Sequence, residues 1–146
     1  MDIMKKYFVT VIIILCSSFV FSQAPDSSLM KPAVFDWNNI KVEPTKTGEK
    51  RQIFNSTTPT MANLECHVTT LNPGETAHPP HQHPEDEMII VKEGTVEVLA
   101  DGQLKRVGTG SVIFQASNYL HNIKNVGTTK ATYYAIKWRV KITAEK

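Results

Sequence analysis

Residues 88–102 read Met88-Ile89-Ile90-Val91-Lys92-Glu93-Gly94-Thr95-Val96-Glu97-Val98-Leu99-Ala100-Asp101-Gly102. Two short apolar runs are each closed by an acidic residue and a glycine. β-Branched side chains suit a pleated, half-buried surface, and Asp-Gly supplies the left-handed backbone that a two-residue hairpin turn requires. The stretch predicts two strands with a tight return at Asp101-Gly102. Working outward, Leu104 to Val107, Ser111 to Phe114, His121 to Val126 and Ala131 to Val140 read as further strands, punctuated by Gly108, Gly110 and Gly127. Upstream, Met61 to Leu71 alternates and ends at Asn72-Pro73-Gly74, where proline presets φ and glycine allows its positive values. The mature chain has no sustained helical period. About seven to nine short strands at intervals of about ten residues predict an all-β single domain, either a sandwich or a small barrel.

Strand phase gives expectations about faces. Leu64, Cys66 and Val68 share one face and are expected inside, which sends His67 toward solvent or a partner chain. Thr132, Tyr134, Ile136, Trp138 and Val140 share a face expected to pack the core. Lys137, Arg139 and Lys141 then read as its solvated reverse.

The chemistry concentrates in His81-Gln82-His83-Pro84-Glu85-Asp86-Glu87, answered by His121 on a later strand. In extended backbone alternate side chains point the same way, so His81 and His83 can project into one cavity. A bend at Pro84 can return Glu87 to it, and His121 can join from a third strand. Three imidazoles and a carboxylate suit a divalent first-row ion and leave further coordination positions open. Lone histidines are usually surface or loop residues; the H-x-H-x3-E order with a turn glycine on each side, Gly74 and Gly94, favours a metal site. Glu85 and Asp86 are alternative carboxylates if the bend differs. His78 could be a proton shuttle at the rim, or a plain loop residue. Met88, Ile90, Phe114 and Tyr119 are expected to line the pocket beside the metal.

These residues resemble the cupin superfamily. Its first motif, G-x5-H-x-H-x3,4-E-x6-G, is met by Gly74, His81, His83, Glu87 and Gly94 with one extra residue before the first histidine. Its second, G-x5-P-x-G-x2-H-x3-N, is met by Gly110, His121 and Asn125, while Ala116 and Asn118 replace the usual proline and glycine. The two motifs cover residues 74 to 125, and flanking strands extend the likeness from about Met61 to Val140. The resemblance implies a jelly-roll, or double-stranded β-helix, barrel in which His81, His83, Glu87 and His121 hold the metal. The rival immunoglobulin-like sandwich lacks its usual cysteine pair here and offers the histidines no place.

The N-terminus is read separately. Lys5-Lys6, the apolar run Tyr7 to Leu15 and the small-residue exit through Ser22 form a secretory signal peptide. The apolar run is short for a membrane span of about 20 residues; an anchor, or lipid attachment at Cys16, is the alternative. The expected layout is a signal peptide at 1–22, a tether and edge strand at 23–60, a barrel at 61–140 and a tail at 141–146. Val34-Phe35-Asp36-Trp37 is the edge-strand candidate. Removing Asp2, Lys5 and Lys6 leaves 14 basic and 13 acidic residues, a net charge near +1 with no nucleic-acid footprint. Cys66 is then the only cysteine, so no internal disulfide forms.

A periplasmic or secreted location follows from export. Lys5-Lys6 is no twin-arginine pair, so the chain is expected to cross unfolded and load its ion outside the cytoplasm. There the Irving–Williams order favours zinc or copper, although iron, manganese and nickel also suit the family. Expected partners are one divalent transition metal per chain and a small-molecule ligand, with no membrane contact after cleavage; a homodimer is compatible with an exposed edge strand. Three functions fit: an oxygenase, isomerase, lyase or hydrolase acting on a small carbonyl or enol compound; a binding module for a small acid or sugar; and an exported metal-binding protein. Fold alone does not rank reaction types.

Overall fold

The computed structural model describes residues 28–142. The signal-peptide reading, and with it the boundary at Ser22, lies outside the described residues, as do residues 143–146 of the tail. Within them the chain is built from strands and one short 3-10 turn, Trp37–Asn39. The strands are β1 Glu43–Thr45, β2 Gly48–Ser56, β3 Met61–Leu71, β4 Asp86–Glu93, β5 Thr95–Ala100, β6 Gln103–Gly108, β7 Val112–Gln115, β8 Asn122–Asn125 and β9 Ala131–Val140. All pair antiparallel, in a six-stranded sheet of order β1-β2-β3-β9-β4-β7 and a three-stranded sheet of order β6-β5-β8. The two sheets close over one another as a jelly roll.

The hairpin expected at Asp101-Gly102 is present. Asp101 has φ 48° and Gly102 φ 70°, the left-handed pair that joins β5 to β6 in register, with Ala100 opposite Gln103. Gly94 has φ +84°, and a side chain there would place Cβ 2.7 Å from the Ala131 Cα. Glycine at this position lets β9 approach the β4–β5 corner.

The core between the sheets consists of Leu71, Ile89, Val91, Val96, Val98, Ile113, Ile123, Ala131, Tyr133 and Ala135. Each large apolar side chain so buried contributes about 1.5–3 kcal/mol. This membership corrects the expected phase of β9: the barrel interior receives Ala131, Tyr133 and Ala135, whereas Tyr134, Ile136 and Trp138 belong to the opposite face. That reverse face is itself covered. Trp37 packs tilted against Tyr134 at 6.5 Å, Phe35 against Phe54 at 5.3 Å, and Arg51 and Lys92 lie over the Trp37 ring at 4.5 and 4.0 Å. Cys66 and Val68, 6% and 1% exposed, pair with Ile136 and Tyr134 on this covered face. They are buried as expected, but outside the barrel.

The N-terminal region also differs from expectation. Residues 34–37 are not an edge strand; that place is taken by Glu43–Thr45, and Gly48–Ser56 forms a long strand paired to β3. The polar stretch hid its strand character because its inward side chains, Lys50 and Gln52, are charged or polar.

Candidate metal centre

The histidine motif lies in the loop that leads into β4, and its backbone is fixed before any side chain acts. His81 and His121 form an antiparallel bridge, each donating its N–H to the other's carbonyl at 3.1 and 2.9 Å. The loop between β7 and β8 clamps the same segment. The Asn118 N–H donates to the His83 carbonyl at 2.8 Å, the Ser117 N–H to the Asp86 carboxylate at 2.9 Å, and the Ser117 hydroxyl to the Pro84 carbonyl at 3.0 Å. Asn118 has φ 61°, a left-handed conformation that asparagine tolerates better than most residues. The asparagine in the family's glycine position therefore keeps the turn that glycine would make.

Three rings meet in this frame. Ring centroids of His81 and His121 are 4.4 Å apart, of His83 and His121 4.8 Å, and of His81 and His83 5.5 Å. Their prospective ligand atoms all lie within 4.8 Å of one another. The Glu87 Oε2 atom is 3.3 Å from His121 Nε2 and 3.8 Å from His83 Nε2. These are ion-pair distances rather than aligned hydrogen bonds. Tautomers are set from outside: His83 Nδ1–H donates to the Glu85 carbonyl at 3.0 Å, and His121 Nδ1–H to the Tyr119 carbonyl at 2.8 Å. Each ring then aims Nε2 inward.

His81 Nδ1, His83 Nε2 and His121 Nε2 are buried without a hydrogen-bond partner. A buried polar atom left unpaired costs about 1–3 kcal/mol, and three converging on one point beside a carboxylate fit a cation. Electrostatics agrees. Burial, then the charges of His78, His121 and His83, lower the His81 pKa to about 4. The Glu87 carboxylate raises His121 above the ordinary imidazole range. Burial pushes Glu87 upward, yet His121, His83 and Lys137 outweigh it and hold the carboxyl below its usual value.

The cluster opens on a cavity of about 270 Å³. His81, His83, Glu87 and His121 all line it, as their sequence spacing leads one to expect. His78 does too, from an exposed position at the rim, with its ring 3.9 Å from that of His81 and Nδ1 donating to the Pro79 carbonyl at 3.2 Å. Glu85 and Asp86 do not line the cavity: the Glu85 carboxylate lies 3.6 Å from His83 Nδ1 and 3.8 Å from Arg139, and the Asp86 carboxylate accepts from the Ser117 N–H.

The four expected pocket residues are not among those lining the cavity. Glu87 on the inner face of β4 commits Ile89 and Val91 to that face, so Met88 and Ile90 point the other way. Phe114 is 59% exposed and stacks on Trp138 on the outer surface. Tyr119 is 56% exposed and serves the site only through its backbone carbonyl.

Sequence reading missed the adjoining wall. Lys50, His67, Thr69, Tyr133 and Lys137 all line the cavity, so His67 faces inward rather than toward solvent. Its Nδ1–H donates to Glu65 Oε1 at 2.9 Å. Burial first, then the charge of Lys50, holds His67 below the usual imidazole range. The clue available in the sequence was the parity of β3 with Leu71, which shares a face with Thr69 and His67.

The fold and this cluster define a β-barrel protein with a histidine-rich site in the barrel mouth. Residues 67–137 match the family model of the cupin domain. The chain belongs to the cupin superfamily. Solved structures of the same fold include KdgF from Halomonas sp., 18% identical over 75% of this chain and 96% of that one, TM-score 0.62. Another is the polyketide cyclase RemF from Streptomyces resistomycificus, 17% identical over 81% and 89%, TM-score 0.57. A third is a predicted oxalate decarboxylase from Thermotoga maritima, 20% identical over 73% and 98%, TM-score 0.59. At these identities the likeness establishes the fold. No curated protein sequence matches the chain.

Proposed function

We propose that the protein is an exported, metal-dependent cupin enzyme acting on a small carbonyl- or enol-type compound, with His81, His83, Glu87 and His121 as ligands to one divalent ion. The observation that carries this reading is the set of three buried imidazole nitrogens without a hydrogen-bond partner, beside the Glu87 carboxylate and open to a cavity. A purely structural ion would need no such opening. When bound, the ion would supply Lewis-acid polarisation of a substrate oxygen.

The chain supplies the rest. Ile89, Ile123 and Ala135 form an apolar floor that limits water. His67, with Nδ1–H donated to Glu65, leaves Nε2 to accept a proton from a substrate in the cavity it lines. That group favours proton-transfer chemistry, as in an isomerase or lyase, over oxygenation. Activities in the names of structural neighbours, a cyclase and a decarboxylase, are compatible with chemistry at such a site. Zinc or copper is the ion expected for a protein loaded outside the cytoplasm.

Elemental analysis of protein from its native compartment tests the metal, with one zinc or copper per chain expected; iron or manganese alone would defeat that assignment. Screening carbonyl compounds for turnover tests the enzyme. His121→Ala should abolish turnover in a folded barrel, while a co-purifying compound that stays intact with metal present would make the protein a binder instead.

A further inference from the structure

Beside the histidine cluster the cavity wall carries a second charged group. Lys50 on β2, His67 on β3 and Lys137 on β9 all reach one carboxylate, Glu65. Its Oε1 accepts from His67 and lies 3.9 Å from Lys50 Nζ; its Oε2 lies 3.2 Å from Lys137 Nζ. Strand register explains the convergence, since Glu65 pairs with Lys137 and the next inward residue, His67, pairs with Gln52. Gln52 adds an amide donor 3.5 Å from Oε1.

Charge does not balance there. Two ammonium groups face one carboxylate. Lys137 and Glu65 are largely sequestered, at 23% and 12% exposure, while Lys50 keeps 37% of its side chain open to solvent. A partly buried surplus cation is costly unless an anion joins it. Glu87, the carboxylate among the cavity's lining residues, lies 3.3 Å from His121 and 3.8 Å from His83, and the Lys137 charge also acts on it. In the β4–β9 register Glu87 sits directly opposite Lys137, so the two groups occupy neighbouring strands about 4.8 Å apart.

We propose that Lys50 and Lys137, oriented by Glu65, form an anion subsite that takes the carboxylate of a small ligand whose other end reaches the His81, His83 and His121 cluster. One surplus positive charge matches one carboxylate. The subsite deepens the proposed function by naming its substrate class, an oxo or enol acid, and rests on that reading for the role of the far end only.

The test is calorimetric titration of the full-length, zinc-treated protein with pyruvate, 4-oxopentanoate and 5-oxohexanoate, each beside its neutral methyl ester. At least one acid should bind tenfold or more tightly than its ester at low salt, and the preference should shrink as salt rises. Lys50→Met should remove the preference and Lys50→Arg restore it, with zinc content unchanged and the barrel folded. Equal affinity for every acid and its ester would overturn the subsite, as would a preference that survives Lys50→Met. If Lys50→Met fails to fold, Lys50→Gln at matched stability gives the same comparison. Zinc content, measured on the same samples, separates the two proposals: protein without stoichiometric zinc that still prefers the acids has lost the metal reading and kept the subsite.

Discussion

Replacing Asn125 by leucine removes a side chain that is fully buried and fully used. Its Nδ2 donates to the Leu71 carbonyl at 3.1 Å and to the Thr129 carbonyl at 2.8 Å, and its Oδ1 accepts from the Gly127 N–H at 2.9 Å. Leucine has nearly the same shape and makes none of these bonds. A hydrogen bond is worth about 1 kcal/mol net, and a buried group stripped of its partner costs about 1–3 kcal/mol. The Leu71 carbonyl is in the second situation, because Leu71 is 0% exposed. Thr129 is exposed and recovers a water. Allowing for the apolar gain of leucine, the substitution should destabilise the domain by about 2–3 kcal/mol. For a domain of this size that lowers the melting temperature by roughly 8–12 °C. The backbone of Asn125 also holds the loop before the histidine motif, accepting from the Gly74 N–H at 3.1 Å and donating to the Glu75 carbonyl at 2.9 Å. Urea unfolding should therefore show a lower midpoint with an unchanged slope. A midpoint within error of the wild type would refute the claim that this asparagine ties β8 to the end of β3.

Asn118 offers a test of the turn that holds His83. Asn118→Gly should leave stability unchanged or slightly higher, whereas Asn118→Val should cost about 1–2 kcal/mol at the left-handed position; equal melting temperatures for the two variants would contradict the assigned backbone. Acid stability provides another. His81 protonates near 6.5 in the unfolded chain and near 4 in the folded, metal-free protein. The unfolded state thus binds the proton more tightly, and this contribution to stability, present above pH 6.5, is lost as pH falls toward 4. His121 is raised, so its smaller contribution has the opposite sign and is present below 6.5. Melting temperatures of metal-free protein across this window should fall more steeply for the wild type than for His81→Gln, and parallel profiles would contradict the assignment.

Turn chemistry and the histidine spacing were legible in the sequence because each depends on local constraints. Asp101-Gly102 has few low-energy alternatives to a left-handed pair, and His81, His83, Glu87 and His121 sit at intervals that strand alternation makes convergent. Face assignment failed where burial is two-sided. On β4 and β9 both faces are apolar, since Trp37 and its neighbours cover the reverse of the sheet; alternation then carries no sign of which face is the barrel interior. Glu87 could have supplied that sign for β4: an inward ligand sends Ile89 inward and Met88 outward. The charged wall was hidden for the converse reason. Lys50, Glu65, His67 and Lys137 contact one another inside, and in sequence an inward charge looks like an outward one. β2 was lost with them.

The most direct measurement is anomalous diffraction from a crystal of the protein grown with zinc. One strong peak should lie about 2.0–2.2 Å from a ring nitrogen of His81, His83 and His121 and from a carboxylate oxygen of Glu87. A crystal with no peak among those four side chains, or with the imidazole of His121 turned out of the cluster, would contradict the account.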